Sequence, residues 1–281
     1  MALVTLKQIL QEADQSGYGV GSFNVVNMET IIGTIKAAEE TRSPIIMQAA
    51  QVRLKHSPLH LLGPMMLEAA KRALVPVAVH LDHGTDLAVI KQALDLGFTS
   101  VMFDGSHLPL EKNIAETLKV VKLARNYGAS VEAEIGRVGG SEDNSEDIEM
   151  VTTQVCDAQQ FYEGTGVDAL AIAIGNVHGI YKSKPRLQFQ RIREIDGVVA
   201  APLVLHGGSG ITVDDFRQCI QCGIKKINVQ TATLTNIVEQ VKQLLQLNKQ
   251  VDYFTYHHSI IDAAYVSVKH HIEAFQSNNH A

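Results

Sequence analysis

The chain has 281 residues, of which 46% are hydrophobic and 19% are charged, and its formal net charge at pH 7 is -6. This length fits one large α/β barrel or two ordinary domains, and the apolar fraction suffices for a sizeable core. The mildly acidic balance argues against nucleic-acid binding, which needs clustered basic side chains, and no apolar run is long enough to predict a membrane span.

Short apolar runs rich in β-branched residues alternate along the chain with segments of helical periodicity. The runs are continuously apolar, as is typical of parallel strands that are covered on both faces. They predict strands at 19–24, 44–49, 75–81, 100–104, 130–135, 169–174, 202–205 and 226–229, and the segments between them predict helices at 28–41, 59–73, 86–96, 110–127, 154–164, 189–196 and 213–221. An amphipathic helix opens the chain, without the basic start and long apolar run of a signal peptide.

Eight strand–helix units predict an α/β fold, a single (β/α)8 (TIM) barrel that occupies residues 1–281 as one domain. A doubly wound open sheet is the alternative, but the glycine-rich phosphate fingerprint is missing after the first strand. Residues 259–275 predict one extra carboxyl-terminal helix, which packs either on the barrel or on a partner subunit.

The connection 136–153 is long, polar and acidic, and it contains glycine. A loop of this length in a compact domain is usually functional or disordered. Because it follows the fifth strand, we expect it at the face where the active sites of barrels lie.

The chain has three cysteines: Cys156, Cys219 and Cys222. A small, odd number of cysteines argues against a disulfide framework. Cys219 and Cys222 form a CxxC pair, but no second pair completes a zinc site and this pair falls late in a predicted helix. We interpret them as core or surface thiols, and we expect a soluble protein of the cytoplasm, a reducing compartment.

Histidines follow the third, sixth and seventh predicted strands, as His83, His178 and His206. A single histidine after a strand is more often an ordinary hydrogen-bonded residue. Because a barrel delivers the carboxyl ends of its strands to one rim, three matching positions instead predict a zinc site that is open to substrate. The other histidines, including His56 and His258, are assigned to helices or loops and treated as solvated.

A glycine-rich turn follows the seventh strand, with the sequence His206-Gly-Gly-Ser-Gly210. A turn of this kind that leads into a helix presents free N–H groups and the positive end of the helix dipole to an anion. The loops after strands seven and eight are the usual phosphate site of this barrel, and Asn228 and Thr231 could add side-chain donors. Alone, the turn is equally compatible with a plain left-handed turn.

Carboxylates lie beside these groups. Asp82 adjoins His83 at a strand end, where both side chains can reach the pocket, although a helix cap is its ordinary role. Asp104 and Glu134 could orient ligands or hold a second metal. Glu142 lies in the acidic loop, where a solvated charge is the default interpretation.

The motifs Asp82-His83, Glu132-Ala-Glu-Ile-Gly136 with Gly139-Gly140, Gly175-Asn-Val-His-Gly179, His206-Gly-Gly-Ser-Gly210 and Asn228-Val-Gln-Thr231 form a larger pattern. Together they resemble the class II fructose/tagatose-bisphosphate aldolases, in the family's order and at similar spacing. The resemblance covers nearly the whole chain, from Asn24 to Thr231, and it is nearer to the short tagatose-type branch.

The resemblance implies a metal site. His83, His178 and His206 would be the ligands of one catalytic Zn²⁺ per subunit, while Glu134 and Asp104 match an alternative metal position. Some members of the family also bind a monovalent cation such as Na⁺ or K⁺.

The resemblance also implies catalytic and substrate-binding residues. Asp82 would exchange a proton with the hydroxyl at the cleaved bond, and Glu142 would move the proton on the nucleophilic carbon. The family is usually dimeric or tetrameric, so a homodimer or homotetramer is expected. The substrate-binding residues would be Asn24, Gly179, Gly207, Gly208, Ser209, Asn228, Gln230 and Thr231.

These roles imply a zinc-dependent aldolase of carbohydrate metabolism, in or near glycolysis. It would reversibly cleave a ketose 1,6-bisphosphate, of tagatose or fructose type, to dihydroxyacetone phosphate and an aldehyde. Zinc would stabilise the enediolate that cleavage leaves on the ketone fragment. A lysine Schiff base is the rival route, but Lys225 and Lys226 are predicted at the amino-terminal end of the eighth strand, away from the active face.

Departures from the family pattern bear on the substrate. Gln230 and Ala232 stand where the family usually places an acidic residue, and Ala50 stands where a serine is common. The stretch 251–253 lacks the arginine that holds the distal phosphate in bisphosphate members. The alternatives are an aldolase for a ketose 1-phosphate without a distal phosphate, a non-catalytic barrel that partners an aldolase, and a metal-dependent hydrolase.

Overall fold

The computed structural model describes residues 2–140, 149–179, 185–247 and 250–281. Eight parallel strands form a closed barrel in chain order, and β1 completes the ring by pairing with both β2 and β8. The strands are β1 (Val20–Asn24), β2 (Ile45–Ala50), β3 (Val77–Gly84), β4 (Ser100–Phe103), β5 (Ser130–Ile135), β6 (Ala169–Ile172), β7 (Leu203–Leu205) and β8 (Ile224–Val229). The barrel is confirmed, and every predicted strand is present.

The strands are buried along their length because helices cover the outside of the barrel. Within the described ranges the helices are α1 (Leu6–Ser16), α2 (Met28–Thr41), α3 (Leu59–Arg72), α4 (Leu87–Leu96), α5 (Leu110–Arg125), α6 (Val155–Thr165), α7 (Phe189–Asp196), α8 (Val213–Gln221), α9 (Thr231–Leu247) and α10 (Tyr253–Ala274). The main apolar core lies between this helical layer and the strands.

Helix α1 closes the amino-terminal end of the barrel. Its apolar face (Leu6, Ile9, Leu10 and Ala13) is buried in a second apolar cluster, together with small strand residues such as Ala78 and Ala169. Thr5 caps the helix with a capping box, which satisfies backbone N–H groups of its first turn. The chemistry is therefore confined to the opposite, carboxyl-terminal end.

Two helices near the carboxyl terminus differ from the prediction. Helix α9 follows β8 directly and was not predicted, and α10 begins at Tyr253 rather than at residue 259. Helix α10 packs against α2 and α9, so it lies on the barrel. Helices α2 and α10 approach closely at Gly33, where an added Cβ would lie 2.6 Å from the carbonyl oxygen of Ile261.

The long connection after β5 is paired at its base. Arg137 and Val151 exchange backbone hydrogen bonds of 2.8 and 2.9 Å. Gly139–Gly140 form a short parallel ladder with Val177–His178, so the base of this connection contacts the segment after β6. Residues 141–148 lie outside the described ranges.

Cys219 and Cys222 are buried free thiols and Cys156 is an exposed one, as predicted. Burial raises the pKa of Cys219 to about 12, so this thiol is an inert core group. Among the described helices, none combines the length and the apolar character needed to cross a membrane.

Candidate active site

Three histidines converge at the carboxyl-terminal rim of the barrel. The Nε2 atom of His83 lies 2.8 Å from the Nδ1 atom of His206. One ring nitrogen from each of His83, His178 and His206 lies within 4.8 Å of the others. The predicted convergence of imidazoles from three strand ends is therefore present, with the spacing that a shared metal ion requires.

An irregularity in β3 delivers both Asp82 and His83 to the same pocket. The pairing of β3 with β4 shifts its register between Leu81 and Gly84. Between them His83 adopts a φ of 47°, in the left-handed region that few non-glycine residues occupy. In a regular strand these neighbours would point to opposite faces, so the shift explains why both reach the site.

Carboxylates hold the far nitrogens of two of the rings. Asp104 Oδ2 lies 2.8 Å from His83 Nδ1, and Glu132 Oε1 lies 2.9 Å from His206 Nε2. A carboxylate fixes the ring proton on the nitrogen that faces it, which leaves the lone pair of the other nitrogen for a metal. Asp104 therefore orients His83, one of the two roles considered from the sequence.

Burial favours the neutral, metal-binding form of two of the three rings. Burial and then the charge of the neighbouring imidazoles lower the pKa of His178 and of His206 below the ordinary value. Burial would raise the pKa of Asp104, but its hydrogen bond with His83 holds that pKa well below the usual range. His178 and His206 are thus favoured in the neutral form, beside an ionised Asp104.

Asp82 is buried and accepts hydrogen bonds at both oxygens. Gln48 Nε2 donates to Oδ2 at 2.9 Å, and Asn228 Nδ2 donates to Oδ1 at 3.0 Å. Burial opposes ionisation, but the neighbouring His83 and His206, together with the Lys226 ammonium, bring the pKa of Asp82 below its ordinary value. The side chain is therefore held as a carboxylate whose oxygens face donors, a form suited to accepting a proton.

A second group of metal-binding character shares His83 with the first. Ligand atoms of His83, Asp104 and Glu134 also lie within 4.8 Å of one another. Glu134 Oε1 accepts a hydrogen bond from the Val138 backbone N–H at 3.1 Å. Because His83 belongs to both groups, a metal in either position would compete for the same ring.

One cleft brings together all eight positions that were predicted to bind substrate. The space within it, which is continuous with open solvent, is about 300 Å³. Asp82 and His178 line the same cleft. The other lining residues are Asn24, Gly179, Gly207, Gly208, Ser209, Asn228, Gln230 and Thr231.

The turn that borders this cleft requires glycine at two positions, because a larger residue would collide with the neighbouring backbone. An added Cβ at Gly207 would lie 2.1 Å from the Val177 carbonyl oxygen, and one at Gly208 would lie 2.7 Å from the Asn228 carbonyl oxygen. Ser209 Oγ accepts a hydrogen bond from the Ala232 backbone N–H at 2.9 Å. The unpredicted α9 begins at Thr231, so its positive amino-terminal end lies at the cleft beside the turn.

An arginine stands at the rim beside Gln230. Arg53 belongs to the short 3₁₀ turn Gln51–Arg53 that follows β2. With the Gln230 amide oxygen facing the guanidinium, Nη2 and Nε of Arg53 lie 3.2 and 3.3 Å from that oxygen. Gln51 ties this turn to the loop after β3, because its Oε1 accepts from the Thr85 N–H at 3.0 Å.

Several predictions about individual residues are wrong, and one concerns a residue outside the described ranges. His80 is not solvated in a helix or loop: it lies on β3, it is fully buried, and burial lowers its pKa to about 3. His271 of α10 is likewise buried rather than solvated. Lys226 does not lie at the remote end of the barrel, because its ammonium reaches Asn228 and Glu132 just below the three histidines. Glu142 falls within residues 141–148, outside the described ranges.

The sequence analysis also missed Gln48, which contacts Asp82, and the position of α9. Gln48 had no signal beyond its place near the end of a strand. Helix α9 had one, because Leu234, Ile237, Val241 and Leu244 repeat at the helical period.

Comparisons with known proteins agree with this geometry. The sequence model of the family described as class II fructose-bisphosphate aldolase matches residues 4–280. A fructose-bisphosphate aldolase of Staphylococcus aureus is 39% identical over 285 residues, covering 100% of both chains. A sulfofructosephosphate aldolase of Alkalicoccus urumqiensis is 41% identical over 289 residues, covering 100% of this chain and 99% of its own.

A crystal structure of a putative fructose-1,6-biphosphate aldolase from Coccidioides immitis is also similar. Its TM-score is 0.90 at 30% identity, over 98% of this chain and 96% of the other. The agreement thus extends over almost the full length in both sequence and backbone. The chain belongs to the class II fructose-bisphosphate aldolase family, and it is an aldolase.

Proposed function

We propose that the chain is a zinc-dependent aldolase that reversibly cleaves a ketose 1,6-bisphosphate, of tagatose or fructose type, to dihydroxyacetone phosphate and an aldehyde. One observation carries the proposal. His83, His178 and His206 bring ring nitrogens within 4.8 Å of one another, and carboxylates hold the far nitrogens of two of them.

The donor set fits zinc. Class II aldolases are generally metal-dependent, and three neutral imidazoles are the ligand set of several catalytic zinc sites. A bound zinc would supply a Lewis acid that stabilises the negative charge developing on the ketone fragment. Glu134 and Asp104 are the proposed alternative metal position, which would share His83.

The proposed proton acceptor is Asp82. Its carboxylate is held by Gln48 and Asn228 at 2.9 and 3.0 Å and lines the cleft beside His178. In the cleavage direction it would take the proton from the hydroxyl at the bond that breaks, and in the reverse direction it would return that proton. Glu142 is the proposed group that moves the proton on the nucleophilic carbon.

The proposed binding site for the phosphate of dihydroxyacetone phosphate lies away from the reacting bond. Gly207, Gly208 and Ser209 border the cleft together with Gly179 and the first residue of α9. Backbone N–H groups and a helix amino terminus favour an anion at this point, so the phosphate would orient the reacting carbons.

A second candidate is an aldolase for a ketose 1-phosphate whose far end carries no phosphate. The 41% identical relative is named a sulfofructosephosphate aldolase, and that name does not specify a bisphosphate substrate. The stretch 251–253 has no arginine, and Asp252 instead caps α10 by accepting from the N–H groups of Phe254 and Thr255. Arg53, held by Gln230, is the cation proposed to meet an acidic group at that end.

Product identification separates the two candidates. The purified protein is incubated with fructose and tagatose 1,6-bisphosphates, the matching 1-phosphates, and a sulfonated ketose 1-phosphate, with and without a chelator. The leading proposal expects dihydroxyacetone phosphate from the bisphosphates, lost on chelation and restored by zinc. Cleavage confined to the substrates without a distal phosphate would replace it with the second candidate, and turnover that survives chelation would contradict the metal.

Assembly and location complete the proposal. We propose one barrel domain over residues 1–281, assembled as a homodimer or homotetramer in the cytoplasm, with a monovalent cation such as Na⁺ or K⁺ near the phosphate. The free cysteines fit a reducing compartment. Light scattering of the purified protein measures the assembly, and a monomer that is fully active would remove that part.

A further inference from the structure

A buried lysine lies directly beneath the histidines and the carboxylate of the site. Lys226 is the third residue of β8, and its side chain is completely buried inside the barrel. Its Nζ lies 2.9 Å from Glu132 Oε2 and donates to Asn228 Oδ1 at 2.6 Å. A charged ammonium in a barrel interior is costly unless it is paired, and here its partners are part of the site.

One chain of contacts from this ammonium leads through Glu132 to His206, a proposed metal ligand. Glu132 contacts Lys226 through Oε2, and its Oε1 lies 2.9 Å from His206 Nε2. Oε2 also faces His80 Nε2 at 3.5 Å, so Glu132 is held between Lys226 and His80 on one side and His206 on the other, which fixes the plane of the carboxylate. That plane in turn fixes the ring of His206, whose Nδ1 points toward His83.

A second chain of contacts leads to the proposed proton acceptor. An ammonium has donors only, so the Asn228 amide must turn its oxygen toward Lys226. Its NH₂ group then faces the other way, where it donates to Asp82 Oδ1 at 3.0 Å. Without Lys226 the amide oxygen would lose its donor, and Asn228 would be held only from the Asp82 side.

We propose that Lys226 is a positioning residue that sets two parts of the site at once: the orientation of His206 through Glu132, and the orientation of Asp82 through Asn228. This inference rests on the proposed function, because it takes His206 as a metal ligand and Asp82 as the proton acceptor. It assigns no covalent chemistry to the lysine, whose ammonium is paired with Glu132.

The adjacent lysine provides a matched control. Lys225 is also largely buried, but it points away from the barrel interior and pairs with Asp14 of α1 at 3.4 Å. Lys225→Met and Lys226→Met therefore remove the same charge from neighbouring positions of one strand. Methionine keeps the length of the unbranched stem, so the comparison isolates the ammonium.

The test measures zinc affinity by competition with a chelator, and kcat and KM at saturating zinc. We expect Lys226→Met to weaken zinc binding by about 10- to 100-fold, the range for the loss of a partner that orients a ligand. Because the chain of contacts to Asp82 is also lost, kcat should stay at least about tenfold below wild type when zinc is saturating, with little change in KM. Loss of folded protein alone would lower the active fraction but would leave the zinc affinity of the remainder unchanged.

A double variant keeps the test decisive if the single variant does not fold. Lys226→Met with Glu132→Gln removes both buried charges, and the new amide oxygen can still accept from His206 Nε2. Zinc affinity should return toward wild type while kcat remains low, because Asn228 is still held only from the Asp82 side. Values for either Lys226 variant within twofold of Lys225→Met, in both zinc affinity and kcat, would overturn the inference; a wild-type protein that neither binds zinc nor cleaves a ketose phosphate would instead overturn the proposed function.

Discussion

His178 occupies a gap that two glycines leave open, which makes one substitution unusually informative. An added Cβ at Gly207 would lie 2.1 Å from the Val177 carbonyl oxygen, and one at Gly140 would lie 2.3 Å from the His178 carbonyl oxygen. Ordinary contact begins at 3.4 Å, so Gly207→Ala requires the two segments to separate by about 1.3 Å. Metal sites tolerate ligand shifts of only about 0.2 Å, so a displacement of this size should disrupt the site.

The backbone conformation adds a cost that a control can subtract. Gly207 has a φ of 64°, where an alanine costs roughly 1–2 kcal/mol. Gly166 has a φ of 60°, but its Cβ would meet nothing within 4 Å. Gly166→Ala therefore carries the conformational cost without the collision, and it lies between α6 and the start of β6, at the end of the strand opposite to that of His178.

The expected outcome distinguishes the two variants. Both should lose about 1 kcal/mol of unfolding free energy from the strained backbone, in urea denaturation. Gly207→Ala should lose about 1–3 kcal/mol more from the collision. Only Gly207→Ala should lose zinc on dialysis, together with about 100-fold in kcat/KM, the scale of a misplacement near 1 Å. Full zinc content and near wild-type turnover in Gly207→Ala would refute the view that this contact positions His178.

The remaining predictions concern three other residues. Asp82→Asn should keep its zinc, measured by metal analysis, but lose about 10²- to 10⁴-fold in kcat, because the proton acceptor is gone; a smaller loss would assign the proton to another group. Arg53→Leu should raise KM about 10- to 100-fold for substrates with a distal acidic group, the scale of a charged hydrogen bond, and leave KM unchanged for an uncharged tail. Burial lowers the pKa of His271 from 6.5 to about 4, so the unfolded chain protonates first and stability is lost as the pH falls through this window. His271→Gln should flatten that fall by up to about 1.4 kcal/mol per pH unit in unfolding at several pH values, and an unchanged slope would count against it.

Much of the fold could be predicted because the parallel strands are covered on both faces. Burial forces continuous apolar runs such as Ile45–Ala50, and these stand out from amphipathic helices. Helix α9 was not predicted because only one residue separates its start from the end of β8, so no loop marks its beginning. The prediction treated Asn228 to Thr231 as a strand end with a binding motif, which hid the start of a helix.

The residues of the candidate site at the rim of the barrel could be predicted from the sequence, but the residues inside the barrel could not. His83, His178 and His206 follow strand ends, so the parallel direction of the strands alone brings them together. Lys226 and His80 lie inside the barrel, where their partners depend on which strands are neighbours and on the length of each side chain. A linear pattern assigns a buried lysine to the surface by default, because unpaired charges are excluded from cores.

Zinc content and activity of His206→Ala, measured beside wild type and His60→Ala, show whether the three histidines hold the metal. His60 is exposed on α3, so its variant controls for the loss of an ordinary histidine. The account predicts one tightly bound zinc per subunit and aldol cleavage in wild type and His60→Ala, and the loss of both in His206→Ala. A His206→Ala protein that keeps its zinc would contradict the account, because another residue would then hold the metal.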